Sequence, residues 1–203
     1  MRKIVLVVSL LVICTAGFAQ ENYAYLSWNY QFPLSNREWL DAPSAHGGAA
    51  GYRAFLREGE LSVGLDLNWI TFDQYQAKQT FEFENGALTT DYFKYVYQYG
   101  AVVSGQYYKP VGDGERFFPY VGLGLGANYN RYARYYNIYE EEYRRWGFVA
   151  RPEAGILYRF NPDRSLGAMA AVHYDYSTNK NDEFGYSNFS SAGFRIGIVI
   201  MSR

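Results

Sequence analysis

Residues 117–130 read FFPYVGLGLGANYN, and this stretch narrows the fold more than any other part of the chain. From Pro119 onward, Pro119, Val121, Leu123, Leu125, Ala127 and Tyr129 alternate with Tyr120, Gly122, Gly124, Gly126, Asn128 and Asn130. A strand sends successive side chains to opposite faces, so one face is oily with aromatic residues near both ends. The other face is small or polar. A soluble sandwich strand turns its oily face inward and puts charges outward. Here the second face holds glycines and asparagines, a composition that suits a narrow, crowded interior. The pattern implies a barrel turned inside out, apolar toward lipid and polar toward its lumen.

Seven further segments alternate in the same way, giving strands over 22–32, 47–57, 61–72, 92–108, 117–130, 147–160, 165–176 and 189–201. The connections alternate too: 33–46, 73–91, 131–146 and 177–188 are long, whereas 58–60, 109–116 and 161–164 are short and rich in turn formers. Bacterial outer-membrane barrels have even strand numbers, short periplasmic turns and longer extracellular loops. Both termini are therefore expected in the periplasm, with four loops outside. Trp28, Trp69, Phe93, Tyr129, Phe148, Tyr174 and Phe189 form the expected outer aromatic girdle. Tyr107, Phe118, Tyr158 and Phe160 form the inner one. Tyr and Trp favour membrane–water interfaces, which accounts for 22 tyrosines in 203 residues.

The N-terminus has the pattern of a targeting segment: Arg2 and Lys3, an apolar run over 4–13, then Gly17-Phe18-Ala19. A signal peptide is expected over 1–19, leaving an outer-membrane β-barrel domain over 20–203. The apolar run is short of the ~20 residues a spanning helix needs. Cys14 is the only cysteine and lies inside that segment, so no disulfide or thiolate chemistry is expected of the mature chain. A net charge of −1 gives no electrostatic case for nucleic acid. No cofactor and no metal are expected.

PYVGLGLGANYN (119–130) and RPEAGILYRF (151–160) resemble strands of the small outer-membrane β-barrel superfamily that includes OmpA, OmpX and OmpW. The resemblance implies an all-β fold, an eight-stranded antiparallel up-and-down transmembrane barrel in a Gram-negative outer membrane. It also implies outer-membrane lipid, lipopolysaccharide and the barrel-assembly machinery as partners. One departure is the end of the chain, Ile200-Met201-Ser202-Arg203, where many such barrels finish on an aromatic residue. No peptidoglycan-binding half is expected after strand eight.

Parity places Arg53, Asp66, Lys94, Arg151, Glu153, His173, Asp175 and Arg195 in the lumen. An eight-stranded interior is only wide enough for side chains to fill it, and buried charges need partners. A packed network of paired charges is therefore favoured over an ion path. His173, Asp175 and Ser177 invite comparison with the lipid A deacylases and acyltransferases among small barrels. Acyl-chain chemistry belongs at the lipid surface, however, and parity turns these residues inward, so no catalytic residue is assigned. The loop 131–146 is rich in the residue types favoured at binding hot spots. Its candidate surface is Arg131, Tyr132, Arg134, Tyr135, Tyr136, Tyr139, Arg144, Arg145 and Trp146, beside the Glu140–Glu142 run. The loop acids and His46 lack metal-ligand spacing. The expected role is non-enzymatic: structural, or a surface interaction with an extracellular ligand. The alternatives are a narrow channel for small or hydrophobic solutes and a lipid A-modifying enzyme.

Overall fold

The computed structural model describes residues 22–56, 60–83, 86–111, 116–136, 139–161 and 165–202, so the expected signal peptide lies outside the described residues. Eight strands follow in order: β1 (Asn22–Pro33), β2 (Ser44–Leu56), β3 (Leu61–Phe83), β4 (Gly86–Tyr108), β5 (Phe117–Tyr136), β6 (Tyr139–Arg159), β7 (Leu166–Ser177) and β8 (Phe189–Ser202). Each pairs antiparallel with the next, and β8 returns to β1 to close the barrel. The closing seam runs without a register break from Asn22↔Ser202 to Pro33↔Ser191.

The alternation seen in the sequence sorts the two faces. Leu61, Val63, Leu65, Leu67 and Trp69 of β3 are exposed, as are Val121, Leu123 and Leu125 of β5 and Ile196, Ile198 and Ile200 of β8. Their intervening neighbours Ser62, Asp66, Asn68, Asn128 and Arg195 are buried. On β3 the apolar band runs from Leu61 to Trp69, within the nine to eleven residues a tilted strand needs to cross a bilayer. Trp69, Tyr99, Tyr129 and Trp146 are successive cross-strand partners and mark its outer edge.

Two of the expected loops are not loops. Residues 73–83, 86–91, 131–136 and 139–146 continue the sheet, so β3 and β4 are 23 residues each, and β5 and β6 are 20 and 21. The other four strands have only 12 to 14. Tyr, Thr and Phe have high strand propensity, and a water-facing antiparallel hairpin tolerates polar side chains on both faces. Polarity there signals departure from the membrane and does not end the strand. The long strands are consecutive, so their excess stands above the bilayer as one four-stranded wall. Pairing between the two hairpins reaches Phe93↔Tyr135.

The lumen is filled in three layers. At the end that holds Asn22 and Ser202, Tyr23, Phe55, Tyr108, Phe118, Leu157, Met169 and Met201 pack together. The middle is polar. At the outer end, Trp39 and Leu40 from the connection after β1 meet Phe184 and Tyr186 from the connection before β8. They pack on Ile70, Phe72, Val96 and Tyr132 of the wall's inner face and on Phe189. Phe118 and Phe189, expected in the lipid-facing girdles, are thus core residues of these two end layers, and Phe93 stands on the wall above the band.

Glycines on the inward face let neighbouring strands and lumen side chains crowd together. A Cβ on Gly126 would lie 2.0 Å from the Ala101 carbonyl oxygen and 2.7 Å from the Val102 Cα, and backbone cannot swing aside. Gly126→Val is expected to remove most of the folded species. The heat-modifiable band on unboiled gels reads it, with lipid-facing Ala170→Val as the control that keeps the band.

Candidate functional site

Three acids and three arginines form the polar middle layer. Arg53 of β2 donates from Nη2 to both Asp66 carboxylate oxygens, at 2.9 and 2.7 Å, and to Ser104 Oγ at 2.8 Å. Tyr25 donates to Asp66 Oδ1 at 2.5 Å and accepts from Arg195 Nη1 at 3.2 Å. Arg195 reaches Glu153 Oε2 at 2.5 Å, and Glu153 also accepts from Tyr120 and Gln106. Arg151 and Asp175 form a bidentate pair at 2.5 and 2.7 Å. The beginnings of these chains lie far apart in sequence (Tyr25 on β1, Arg195 on β8), so only barrel closure brings them together.

The cavity inside this network, lined by Arg53, Asp66, Ser104, Gln106, Arg151 and Glu153, is about 10 Å³, room for roughly one water. Two of the sequence-predicted lumen residues stand outside the pairing. Lys94 lies up at the mouth, where it donates to the Trp39 carbonyl at 2.6 Å and sits 5.4 Å from the Trp39 ring. Among the described residues no carboxylate forms a salt bridge with it, contrary to the expectation of paired charges. His173 is buried, and neither ring nitrogen makes a hydrogen bond, so it is not joined to Asp175 or Ser177. Ser177 is engaged instead with Asn179 and Asn128. No base–nucleophile pair exists there, and no group of three metal-ligating side chains occurs among the described residues.

The candidate residues of 131–146 are split by strand parity. On the wall's outward face, Arg131 Nε meets Glu142 at 2.5 Å and its Nη2 meets Glu140 at 2.8 Å and the Tyr135 hydroxyl at 3.1 Å. Arg144 donates to the same Glu142. The Arg144 guanidinium, and then that of Arg131, hold the Glu142 carboxyl below its ordinary range. Burial, with the Glu140 contact, pushes the Tyr135 hydroxyl up to about 12. Trp146 is exposed on this face and packs on Tyr129 at 5.1 Å.

Tyr132 is fully buried and turned the other way, into the cap, so it is not part of an open surface. Arg134 also faces inward, with its guanidinium 4.7 Å over Phe184 and 2.6 Å from the Tyr136 hydroxyl. Tyr139 stands exposed near the hairpin tip, and Arg145 donates to the Arg144 carbonyl at 3.0 Å.

The sequence reading missed the neighbouring hairpin's contribution. Tyr75, Phe93, Tyr95 and Tyr97 form a ladder on the outward face, with ring centroids 5.2, 6.2 and 5.6 Å apart. Tyr135 packs on Tyr95 at 5.5 Å, and Arg131 lies 5.1 Å over Tyr97. The signal is present as the odd-position aromatics of 93–99, Phe93, Tyr95, Tyr97 and Tyr99. The cap residues Trp39, Leu40, Phe184 and Tyr186 were signalled as bulky apolar residues inside otherwise polar connections.

No family model and no curated relative matches the sequence. Solved structures do match. Ail, the attachment invasion locus protein of Yersinia pestis, is 11% identical over 90% of this chain and 98% of its own, with a TM-score of 0.56. Neisserial surface protein A is 17% identical over 88% of this chain and 96% of its own, with a TM-score of 0.55. This chain has the fold of the small eight-stranded outer-membrane β-barrels. The continuous apolar belt and its aromatic edge fit that barrel to a lipid bilayer.

Breaking one lumen pair strands a charge in a dry interior, at a cost of about 3–5 kcal/mol. Asp66→Ala is expected to lower the unfolding free energy in lipid vesicles by about that amount. Adding Arg53→Met to Asp66→Ala should recover most of the loss. A single variant as stable as the parent would mean the pair is not desolvated.

Proposed function

We propose that this outer-membrane barrel is non-enzymatic and works by surface interaction through the wall formed by β3 to β6. The observation that carries the reading is the extension of four consecutive strands beyond the apolar band, in a barrel whose lumen is packed at both ends. A protein that needed only to span the bilayer would have no use for β3 running 14 residues past Trp69 (83 − 69). The wall offers exposed aromatic rings and arginines, the side chains most often found at the centre of binding interfaces. Ail has been crystallised with the heparin analogue sucrose octasulfate, which makes a sulfated saccharide a suitable first probe for the extracellular ligand.

The channel reading has less support. The apolar cap, the paired charges and the periplasmic aromatic layer lie in series along the axis. The enzyme reading lacks a nucleophile–base pair at His173.

Replacing 74–91 and 133–142 with short turns is expected to leave the heat-modifiable barrel intact. It should weaken binding to host-cell surfaces and to immobilised heparin about tenfold or more. Undiminished binding by the truncated barrel would overturn the wall as the working surface. In planar bilayers the parent chain should give no discrete conductance steps. Overexpression should leave the mass spectrum of lipid A unchanged, and a new lipid A species that disappears in His173→Ala would restore the enzyme reading.

A further inference from the structure

On the inner face of the wall, the row above the buried Val96 and Tyr132 is Gln74↔Lys94↔Arg134↔Glu141, one residue from each of β3 to β6. Glu141 closes the row at one end. At the other, Asp41 from the connection after β1 accepts from Gln74 Nε2 at 2.9 Å. The two cations hold the middle. They are direct cross-strand partners, with Cβ atoms about 5 Å apart, and like charges in that relation destabilise a sheet.

Neither cation is neutralised by what surrounds it. Lys94 is 6% exposed, and its bond to the Trp39 carbonyl engages one donor of an ammonium that carries three. Glu141 stands 3.6 Å from Arg134 Nη1, outside hydrogen-bond reach, and also accepts from Tyr143. Arg134 Nη1 is taken by the Tyr136 hydroxyl, whereas its Nε is buried and makes no hydrogen bond. Burial, and then the facing Arg134, hold the Lys94 ammonium below its ordinary range against the opposite pull of Asp41. Tyr92 lies 5.7 Å from Lys94 and 5.8 Å from Arg134. From the cap, Trp39 lies 5.4 Å from Lys94 and Phe184 4.7 Å from Arg134. Ring faces attract a cation but carry no net charge, so the row keeps a positive centre among poorly hydrating neighbours.

We propose that Lys94 and Arg134 together bind one oxyanion, a carboxylate, sulfate or phosphate group, at the mouth of the barrel. Lys94 Nζ and Arg134 Nε are the donors that meet it, and charge-assisted bonds of this kind are the strong ones. Water would occupy the same donors without cancelling their charge, which is why an anion is the occupant. The Arg134 side chain is 21% exposed, so the group arrives from outside, above the cap and without passing through the lumen. The row faces the barrel axis and not the bilayer. The source is therefore water-borne: a free ion, or an anionic group carried on a soluble ligand. The site lies on the opposite face from the Arg131 ladder and does not depend on that face being a working surface.

The full barrel, refolded in detergent with its lysines labelled at Cε, is titrated with sodium sulfate at constant ionic strength and followed by NMR. Lys94→Arg identifies the Lys94 resonance by its loss. Saturation at one sulfate per barrel is expected, and the ionisation of Lys94 should move upward, because the anion binds the charged amine. Arg134→Gln should weaken sulfate binding about tenfold, and Arg134→Lys, which keeps the charge, should retain part of the affinity. Arg144→Ser, on the outward face, should leave it unchanged. The heat-modifiable band verifies folding of each variant. Should Arg134→Gln fail to fold, the Lys94 shift in the parent chain tests the site by itself. A parallel titration with a glucose sulfate ester separates the sources: tighter binding than inorganic sulfate means a carried group, and equal or weaker binding means the free ion. A Lys94 ionisation no more moved by sulfate than by chloride, or undiminished affinity in folded Arg134→Gln, would overturn the proposal.

Discussion

A peptide group in hydrocarbon has no water to bond with, and this single constraint determines the rest of the molecule. Every N–H and C=O at membrane depth must find a partner on a neighbouring strand, so the sheet has to close, as β1 and β8 do from Asn22↔Ser202 to Pro33↔Ser191. Closure fixes which side chains face lipid and confines the others to a space that eight strands leave barely wide enough to fill. Charges that face inward must then neutralise one another locally. Asp66, Glu153 and Asp175 each meet an arginine, Arg53, Arg195 and Arg151. The glycines follow from the same crowding, because at Gly126 even a methyl group would strike the Ala101 carbonyl.

The membrane part of this design was legible in the sequence because lipid imposes a two-residue period that no other environment imposes so strictly. Val121, Leu123 and Leu125 alternate with glycines for one physical reason, and the same reason operates in β3 and β8. Past the bilayer that discipline lapses. The outward-facing residues of 73–80 and 131–136 meet water, so polarity no longer distinguishes a strand from a loop, and the wall was hidden. Girdle residues near a strand end were ambiguous for a related reason. Phe118 and Phe189 are aromatic and lie at interface depth, but one step of parity sends them inward to seal the ends. The lumen set was legible as a set, since parity alone identifies it. The particular pairings were not, because they join strands that only the closed ring brings into contact. Lys94 shows the limit: its partner is a backbone carbonyl on a connection whose path no periodicity encodes.

Packing the axis shut and raising one wall are complementary features. The wall's inner face would be an exposed apolar surface without the two connections that fold against it. Trp39 stacks on Phe184 with centroids 4.9 Å apart, and Tyr186 packs on Tyr132 at 5.1 Å. The same sheet is thereby core on one side and open surface on the other. A four-stranded extension buttressed in this way presents rigid side chains to the exterior, and rigidity lowers the entropy lost when something binds.

The cap also spans the seam. Its two connections follow β1 and precede β8, the strands whose pairing closes the ring, and they are tied together by Asn36 Nδ2 donating to the Phe184 carbonyl at 2.6 Å and Leu34 N–H to the Ser190 carbonyl at 2.8 Å. These ties hold together only when the first and last strands are already neighbours. The outer end of the molecule therefore acquires its finished surface after the ring has closed. A chain stalled with an open seam would show the exterior a different, incomplete face, so maturity of the barrel inside the membrane is legible from outside the cell.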